Sequence, residues 1–284
     1  MKVIADCGAT KSHWAVIYSN GDIHRFTTGG INASAMSAES IIGVISETAE
    51  QISATEVSAA EIYLYIAGFA SENLESQIRS TFEAHLTVAS LEIQTDLLGA
   101  ARAVCGHGSG IAVILGTGSN SCQWENGKIV KKVNSGGFIL GDEGGAAALG
   151  KLFIADFIKG LVPDSISEDF SSRYPSDYAA IISKVYSHEE SPSGYLGSLA
   201  PFIMEHYVHP YIKNLVDGNF RSFIRRTLKQ YDTDRLPVSI VGGFGYALRE
   251  IFTQIAQEEG LTISRFIEKP IDGLVEYHTR QAER

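Results

Sequence analysis

From Gly116 to Ser121 the chain reads Gly-Thr-Gly-Ser-Asn-Ser, directly after the apolar run Ile111-Ala112-Val113-Ile114-Leu115. A buried strand that ends in such a turn exposes backbone N–H groups, and a turn of that kind holds anions. Glycine lets the backbone approach a phosphate closely, and Thr117, Ser119 and Ser121 add hydroxyls that rotate to suit its oxygens. Polar or glycine stops also follow other apolar runs. Asp6-Cys7-Gly8-Ala9-Thr10-Lys11-Ser12 follows Val3-Ile4-Ala5, Asp96 follows Leu91-Glu92-Ile93-Gln94-Thr95, and Gly242-Gly243-Phe244-Gly245 follows Val238-Ser239-Ile240-Val241. Gly141-Asp142-Glu143-Gly144-Gly145 is a further glycine-rich acidic turn. Phosphoryl transfer needs these parts: a phosphate cradle, a magnesium ion held largely through water by one or two carboxylates, and a group to accept the attacking hydroxyl's proton. The chain has no Gly-x-x-x-x-Gly-Lys-Ser/Thr, and no Gly-x-Gly-x-x-Gly that opens a helix after a strand.

The elements that position these residues alternate between strand and helix. Val3-Ile4-Ala5, the polar turn, Trp14-Ala15-Val16-Ile17-Tyr18 and the Asn20-Gly21 turn form a strand, turn, strand and hairpin. The same order recurs from Ile111 through Cys122-Gln123-Trp124, Asn126-Gly127 and Ile129-Val130, and even the exits match, Gly29-Gly30 and Gly136-Gly137. This is an internal duplication, recognised by the order of features. Ile41, Ile42, Ile45, Ala49 and Ile52 recur at helical spacing, and Glu61 to Ala67 alternates like a strand. A helix is predicted from Ser71, with Leu74, Ile78 and Phe82 on one face. Helical patterns near 151–160, 176–187, 198–216 and 219–231 are separated by Pro163, Pro175 and Pro192. A helix through Glu259, a strand near Thr262–Ile267 and a terminal helix from Asp272 complete the series. The fold class is α/β, with polar sites expected beyond the carboxyl ends of the strands. Asp6, Asp96, Gly116 to Ser121 and Gly242-Gly243 all stand at such ends, which favours a nucleotide cleft over a set of plain turns.

At 284 residues and 44% hydrophobic, the chain can build two domains. Its net charge of −10 offers no basic surplus for a nucleic-acid backbone. Cys7, Cys105 and Cys122 are widely spaced, without a CxxC pair, so the expected compartment is reducing. Met1 to Ala5 meets Asp6 too soon for a signal peptide, and no apolar stretch approaches ~18 residues. The expectation is a cytoplasmic protein with neither nucleic-acid nor membrane partners; a homodimer is compatible with the chain.

Asp6-x-Gly8-x-Thr10-Lys11-Ser12, Thr95-Asp96, Leu115-Gly116-Thr117-Gly118-Ser119-Asn120, Gly141-Asp142-Glu143-Gly144 and Gly242-Gly243 resemble, in order, the motifs of the actin-like ATPase and sugar kinase superfamily. Within it, the chain looks like the N-acetylglucosamine kinase branch. The match is fullest over residues 1 to about 150. The resemblance implies duplicated ribonuclease-H-like domains around a central nucleotide and sugar cleft: residues 1–106, with a helix from 270–284 packing back, and 107–269, with a helical insertion. It implies ATP and Mg2+ as cofactors and a kinase acting on the 6-hydroxyl of N-acetylglucosamine or a related amino sugar. Carried over by position, Gly8, Thr10 and Lys11 belong to the first phosphate loop, with Asp6 near the metal. Thr117 and Gly118 belong to the second loop, and Gly242 and Gly243 to the adenosine site. Asp96 takes the place of the catalytic base, and Asn32, Asn120, Asp142 and Ala146 stand where the family contacts the sugar.

The pattern departs from the family in places. Asp6-Cys7-Gly8-Ala9 has less glycine than the usual first loop, Gly136 to Leu140 looks shorter than the corresponding segment, and Gly145 stands where a serine is common. Each carboxylate also has a plainer role open to it: Asp6 as a turn cap, Asp96 as the N-cap of the helix holding Leu97, Leu98 and Ala101, Asp142 and Glu143 as solvated loop charges. Lys11 is a surface lysine or a point-charge clamp beside a phosphate. Two other functions are open. An activator ATPase of a CoA-ester reductase or dehydratase would need cluster-ligating cysteines, and neither Cys105 nor Cys122 lies where those are expected. A non-catalytic sugar sensor would leave Asp96 without a role.

Overall fold

The computed structural model of the chain describes residues 1–8, 11–34, 36–53, 59–69, 71–186 and 191–279. The chain divides into two compact units, one made of Met1–His107 and the stretch from Pro270, the other of Gly108–Lys269.

In the first unit, β1 (Lys2–Cys7), β2 (Lys11–Ile17) and β3 (Ile23–Gly29) form an antiparallel meander. β4 (Ala60–Ile66) and β5 (Val88–Thr95) extend the sheet on the other side of β1 as parallel strands, giving the order β3-β2-β1-β4-β5. Alternate side chains of a strand face opposite sides. Val3, Ala5 and Cys7 therefore join one buried cluster with Ile41, Ile45, Ala49 and Ile52 of α1 (Ala38–Ser53) and Leu74, Ile78 and Phe82 of α2 (Glu72–Glu83). Ser71 caps α2 by accepting the Leu74 N–H at 3.3 Å, where the sequence puts the start of that helix. The alternate positions, Ile4, Asp6, Tyr63 and Tyr65, are left for the other face, which α3 (Asp96–Cys105) and the C-terminal helix Ile271–Thr279 cover.

The second unit repeats this plan. β6 (Gly110–Leu115), β7 (Ser119–Glu125) and β8 (Lys128–Lys132) are an antiparallel meander, and β9 (Val238–Val241) and β10 (Ile263–Ile267) add parallel strands beside β6. Its order, β8-β7-β6-β9-β10, matches the first sheet position by position. The duplication read from hairpins and glycines is thus a duplication of topology.

Between β8 and β9 lies a helical segment: α4 (Gly137–Leu140), α5 (Ala146–Phe157), α6 (Asp164–Arg173), α7 (Tyr178–Tyr186), α8 (Pro192–Ser198), α9 (Ala200–Glu205) and α10 (Pro210–Arg226). The sequence patterns merge or miss some of these. The expected helix over 198–216 is two helices, because Pro210 starts α10 at its first turn and His206 to His209 form the break. The pattern over 219–231 is the end of α10 followed by a 3-10 turn, Leu228–Gln230. α6 buries only Ile166 and Phe170, too few apolar positions to announce a period. Phe153, Phe170 and Phe202 meet edge to face, with centroids 5.2 to 5.8 Å apart, and anchor this segment's core. After β9, α11 (Gly243–Ala247) and α12 (Arg249–Glu258) replace the single helix expected through Glu259, with Leu248 at the joint. The C-terminal helix is α13 (Ile271–Thr279). Among the described residues no helix is long and apolar enough to cross a membrane.

Candidate functional site

In the first unit the register aligns Cys7 of β1, Ile66 of β4 and Thr95 of β5, so the carboxyl ends of the three parallel strands lie level. The residues that follow them gather at that edge. Gly8 leaves β1 with its N–H on Lys11 O at 3.1 Å and its carbonyl accepting the Ile31 N–H at 3.1 Å. Asn32 is bridged to Ala67 just beyond β4, and its Oδ1 accepts the Ser34 N–H at 3.0 Å, which leaves its Nδ2 without a protein partner among the described residues. Lys11 opens β2 and is exposed. Thr10 lies outside the described residues.

Asp96 begins α3 but does not cap it. Thr95 is the N-cap, its hydroxyl accepting the Leu98 N–H at 3.3 Å, while Asp96 Oδ1 accepts the Leu97 N–H at 2.8 Å. The cap expected of Asp96 therefore belongs to its neighbour, because a threonine with extended backbone places its oxygen over the third helical N–H. Asp6 is partly buried at the end of β1. Burial first, and the Asp96 charge second, push its pKa up to about 7. Two carboxylates that repel one another in a desolvated place suit a hard divalent cation, which one or two carboxylates plus water and phosphate oxygens can hold. Among the described residues no group of three or more His, Cys, Asp and Glu side chains forms a closed cage.

The second unit carries the Gly116 to Ser121 turn between β6 and β7. Its carbonyls are tied down: Ala146 N–H donates to Gly116 O at 3.0 Å and Ala147 N–H to Thr117 O at 2.8 Å, both from the first turn of α5. A trans peptide sets its N–H opposite its C=O, so the Thr117 and Gly118 N–H groups point away from α5. Neither has a protein partner among the described residues. The turn is thus clamped on one side and presents two adjacent donors on the other.

Asp142 sits behind this turn in the left-handed region, φ 57°, rare for a non-glycine residue. A Cβ on Gly118 would lie 2.6 Å from its Oδ2, so any larger residue would have to displace this carboxylate. Its carboxylate accepts from the Ser119 N–H and the Ser135 hydroxyl, and burial raises its proton affinity against those bonds. Ala146 is buried, with its N–H already committed to Gly116. Asn120 on β7 turns its Oδ1 to the Ser121 N–H at 3.0 Å, leaving its Nδ2 open among the described residues. Glu143 pairs with Arg226, so it is an ion-paired residue and not a solvated loop charge.

Gly242 follows β9 with φ 120°, and a Cβ there would lie 2.4 Å from Leu115 O. The Gly242-Gly243 turn therefore runs directly beside the start of the Gly116 turn. Gly243, the first residue of α11, has open space around its Cα.

Sequence reasoning missed the supports. Asn219 of α10 accepts the Gly144 N–H at 2.9 Å and donates to Gly145 O at 3.2 Å. Tyr231 meets Ser121 Oγ at 2.8 Å and accepts the Val133 N–H at 2.9 Å. The signal for Asn219 was present, an amide inside the apolar stripe Ile212, Val216, Phe220 and Phe223.

A scan against protein-family models and a search of curated proteins found no match. Among solved structures the chain is similar to the Porphyromonas gingivalis protein named "Putative N-acetylglucosamine Kinase", at 33% identity, over 98% of each chain, with a TM-score of 0.87. A Chromobacterium violaceum protein of the same name is 19% identical over 97% of this chain and 98% of its own, with a TM-score of 0.74. A ROK family glucokinase from Streptomyces griseus, in complex with glucose and AMPPNP, is 16% identical over 97% of each chain, with a TM-score of 0.51. These last two likenesses establish the fold alone.

Proposed function

This chain belongs to the N-acetylglucosamine kinase-like family of the actin-like ATPase and sugar kinase superfamily, and from that membership we propose that it is an ATP-dependent phosphotransferase. Its substrate on this reading is the 6-hydroxyl of N-acetylglucosamine or a related amino sugar. The observation that carries the reading is the clamped turn whose Thr117 and Gly118 N–H groups face outward together. Such a pair is built for the oxygens of a phosphate.

In this reading Gly8, Thr10 and Lys11 are phosphate-binding residues, as the family membership implies, and Gly242 and Gly243 leave room for the adenosine. Asp96 accepts the proton of the sugar hydroxyl as that oxygen bonds to the γ-phosphorus and the bond to the β-phosphate oxygen breaks, releasing ADP. The contribution of Asp96 rests on its position at the first turn of α3. A magnesium ion, when bound beside Asp6, neutralises the phosphate charge. Asn32 and Asn120 offer their open amide Nδ2 groups to sugar oxygens. Asp142 and Ala146 are engaged with the Gly116 turn and act on the sugar through the shape they give that turn.

The test is a coupled ATP-consumption assay over glucose, glucosamine, N-acetylglucosamine and N-acetylmannosamine. ADP release that depends on an amino sugar, with a 6-phosphate product, is expected. ATP hydrolysis indifferent to every sugar would sink the proposal. Iron recovered from protein purified without air would point instead to the activator ATPase.

A further inference from the structure

α10 is an amphipathic helix whose buried stripe, Ile212, Val216, Phe220, Phe223 and Ile224, is interrupted by Asn219 at 3% exposure. A buried amide is costly unless it is hydrogen-bonded, and both bonds of Asn219 go to one glycine turn. That turn has no slack. Gly144 adopts φ 81°, and a Cβ there would lie 2.8 Å from Phe223 Cβ, so the turn lies directly on α10. Gly145 N–H in turn donates to Asp142 O at 3.0 Å, and Gly145 is the N-cap of α5. The next two N–H groups, Ala146 and Ala147, hold the carbonyls of Gly116 and Thr117.

We propose that Asn219 is a positioning residue for the phosphate-facing turn: it fixes the Gly144-Gly145 turn, hence the start of α5, hence the direction of the Thr117 and Gly118 N–H groups. This rests on the proposed nucleotide reading of that turn. An amide is the group that fits, because it accepts from one backbone N–H and donates to the adjacent C=O at once. Aspartate has no donor and would face Gly145 O with a carboxylate. Leucine would leave the buried Gly144 N–H without a partner and Gly145 O with the Leu149 N–H alone. Either change loosens the clamp without touching a ligand.

The experiment compares Asn219→Asp and Asn219→Leu with Phe220→Leu, a neighbouring core change that perturbs stability and leaves the turn's bonds alone. Calorimetry with AMPPNP and magnesium, sugar kinetics, and amide hydrogen exchange over residues 116–118 and 144–147 are the readouts. Both Asn219 variants should bind the nucleotide analogue about tenfold more weakly, the effect of losing one such bond. The sugar KM should hardly move, and exchange at 144–147 should quicken. Phe220→Leu should lower Tm with the analogue affinity kept. Folded Asn219 variants that bind like wild type would overturn the proposal, as would a Phe220→Leu variant that loses the same affinity. Wild-type protein that does not bind the analogue would overturn the nucleotide reading and this role with it. Quickened exchange with unchanged affinity would overturn this role while leaving the nucleotide reading standing.

Discussion

The Tyr65 hydroxyl and His278 Nε2 share a hydrogen bond of 2.7 Å that joins β4 to the C-terminal helix. Arg102, which has only donors, gives one to the same Tyr65 oxygen at 2.7 Å. Burial keeps His278 in its neutral form. Its ring also stacks on Tyr63 at 3.9 Å, and Arg102 pairs with Glu92 at 2.6 Å.

Acid should undo this junction. Burial first, then the charges of Arg102, Lys2 and His107, push the His278 pKa down to about 4. The unfolded chain holds a proton on this residue at a higher pH than the folded one does. Its contribution to stability is therefore complete above pH ~6.5 and disappears as pH falls through about 4. For a partly exposed ring the effect is of order 1–3 kcal/mol. Urea midpoints measured across pH 4 to 7 should fall more steeply with acid in wild type than in His278→Gln. Parallel curves would show that the imidazole does not titrate on unfolding.

Asp6 should act in the opposite sense over an overlapping range. Its folded pKa of about 7 lies above the unfolded value of 3.8, so its contribution is favourable below the lower value and is lost as pH rises through the upper. Asp6→Asn should therefore raise the Tm of the ligand-free protein at pH 8 and abolish activity. Added Mg2+ should stabilise wild type more than the variant. A variant less stable than wild type at pH 8 would mean that the carboxylate is not destabilising as placed.

Asp96→Asn tests the base. Because Thr95 supplies the cap, the substitution leaves the helix start intact and Tm should change little. The kcat should fall ~10²- to 10⁴-fold while AMPPNP binding survives. Near-normal kcat would end the catalytic assignment.

Two glycines in one turn should separate sharply. Gly118→Ala puts a methyl group 2.6 Å from Asp142 Oδ2, and relieving that overlap should cost about 1–3 kcal/mol and weaken nucleotide binding. Gly116→Ala meets nothing within 4 Å and should leave Tm unchanged. Equal losses in both would show that the turn does not pack as described.

The strands that carry the site were legible because each is an apolar run stopped by glycine or aspartate. Val3 to Ala5, Ile111 to Leu115 and Val238 to Val241 all fall inside observed strands, and Leu91 to Thr95 is the second half of β5. The paired hairpins announced the duplication for the same reason. What escaped were relations between distant residues. Nothing local says that Thr95 rather than Asp96 turns its oxygen inward, since both are good caps. Asn219 reads as one polar residue in a helix until the Gly144-Gly145 turn is seen against it. Tyr231 was equally opaque, because its partners Ser121 and Val133 lie about a hundred residues upstream. The short helices of the 137–226 segment have too few turns to set a period.

One unit is contiguous in the chain, whereas its companion is assembled from both ends. During synthesis the Gly108–Lys269 unit therefore emerges whole, while the earlier sheet waits for α13. At about 5–20 residues per second that wait is on the order of ten seconds or more. Throughout it, the face bearing Tyr63 and Tyr65 lacks α13, whose His278 stacks on Tyr63 and hydrogen-bonds Tyr65 in the finished protein. The 107 residues translated first are thus the last to complete their fold, and until α13 arrives that face lacks its cover.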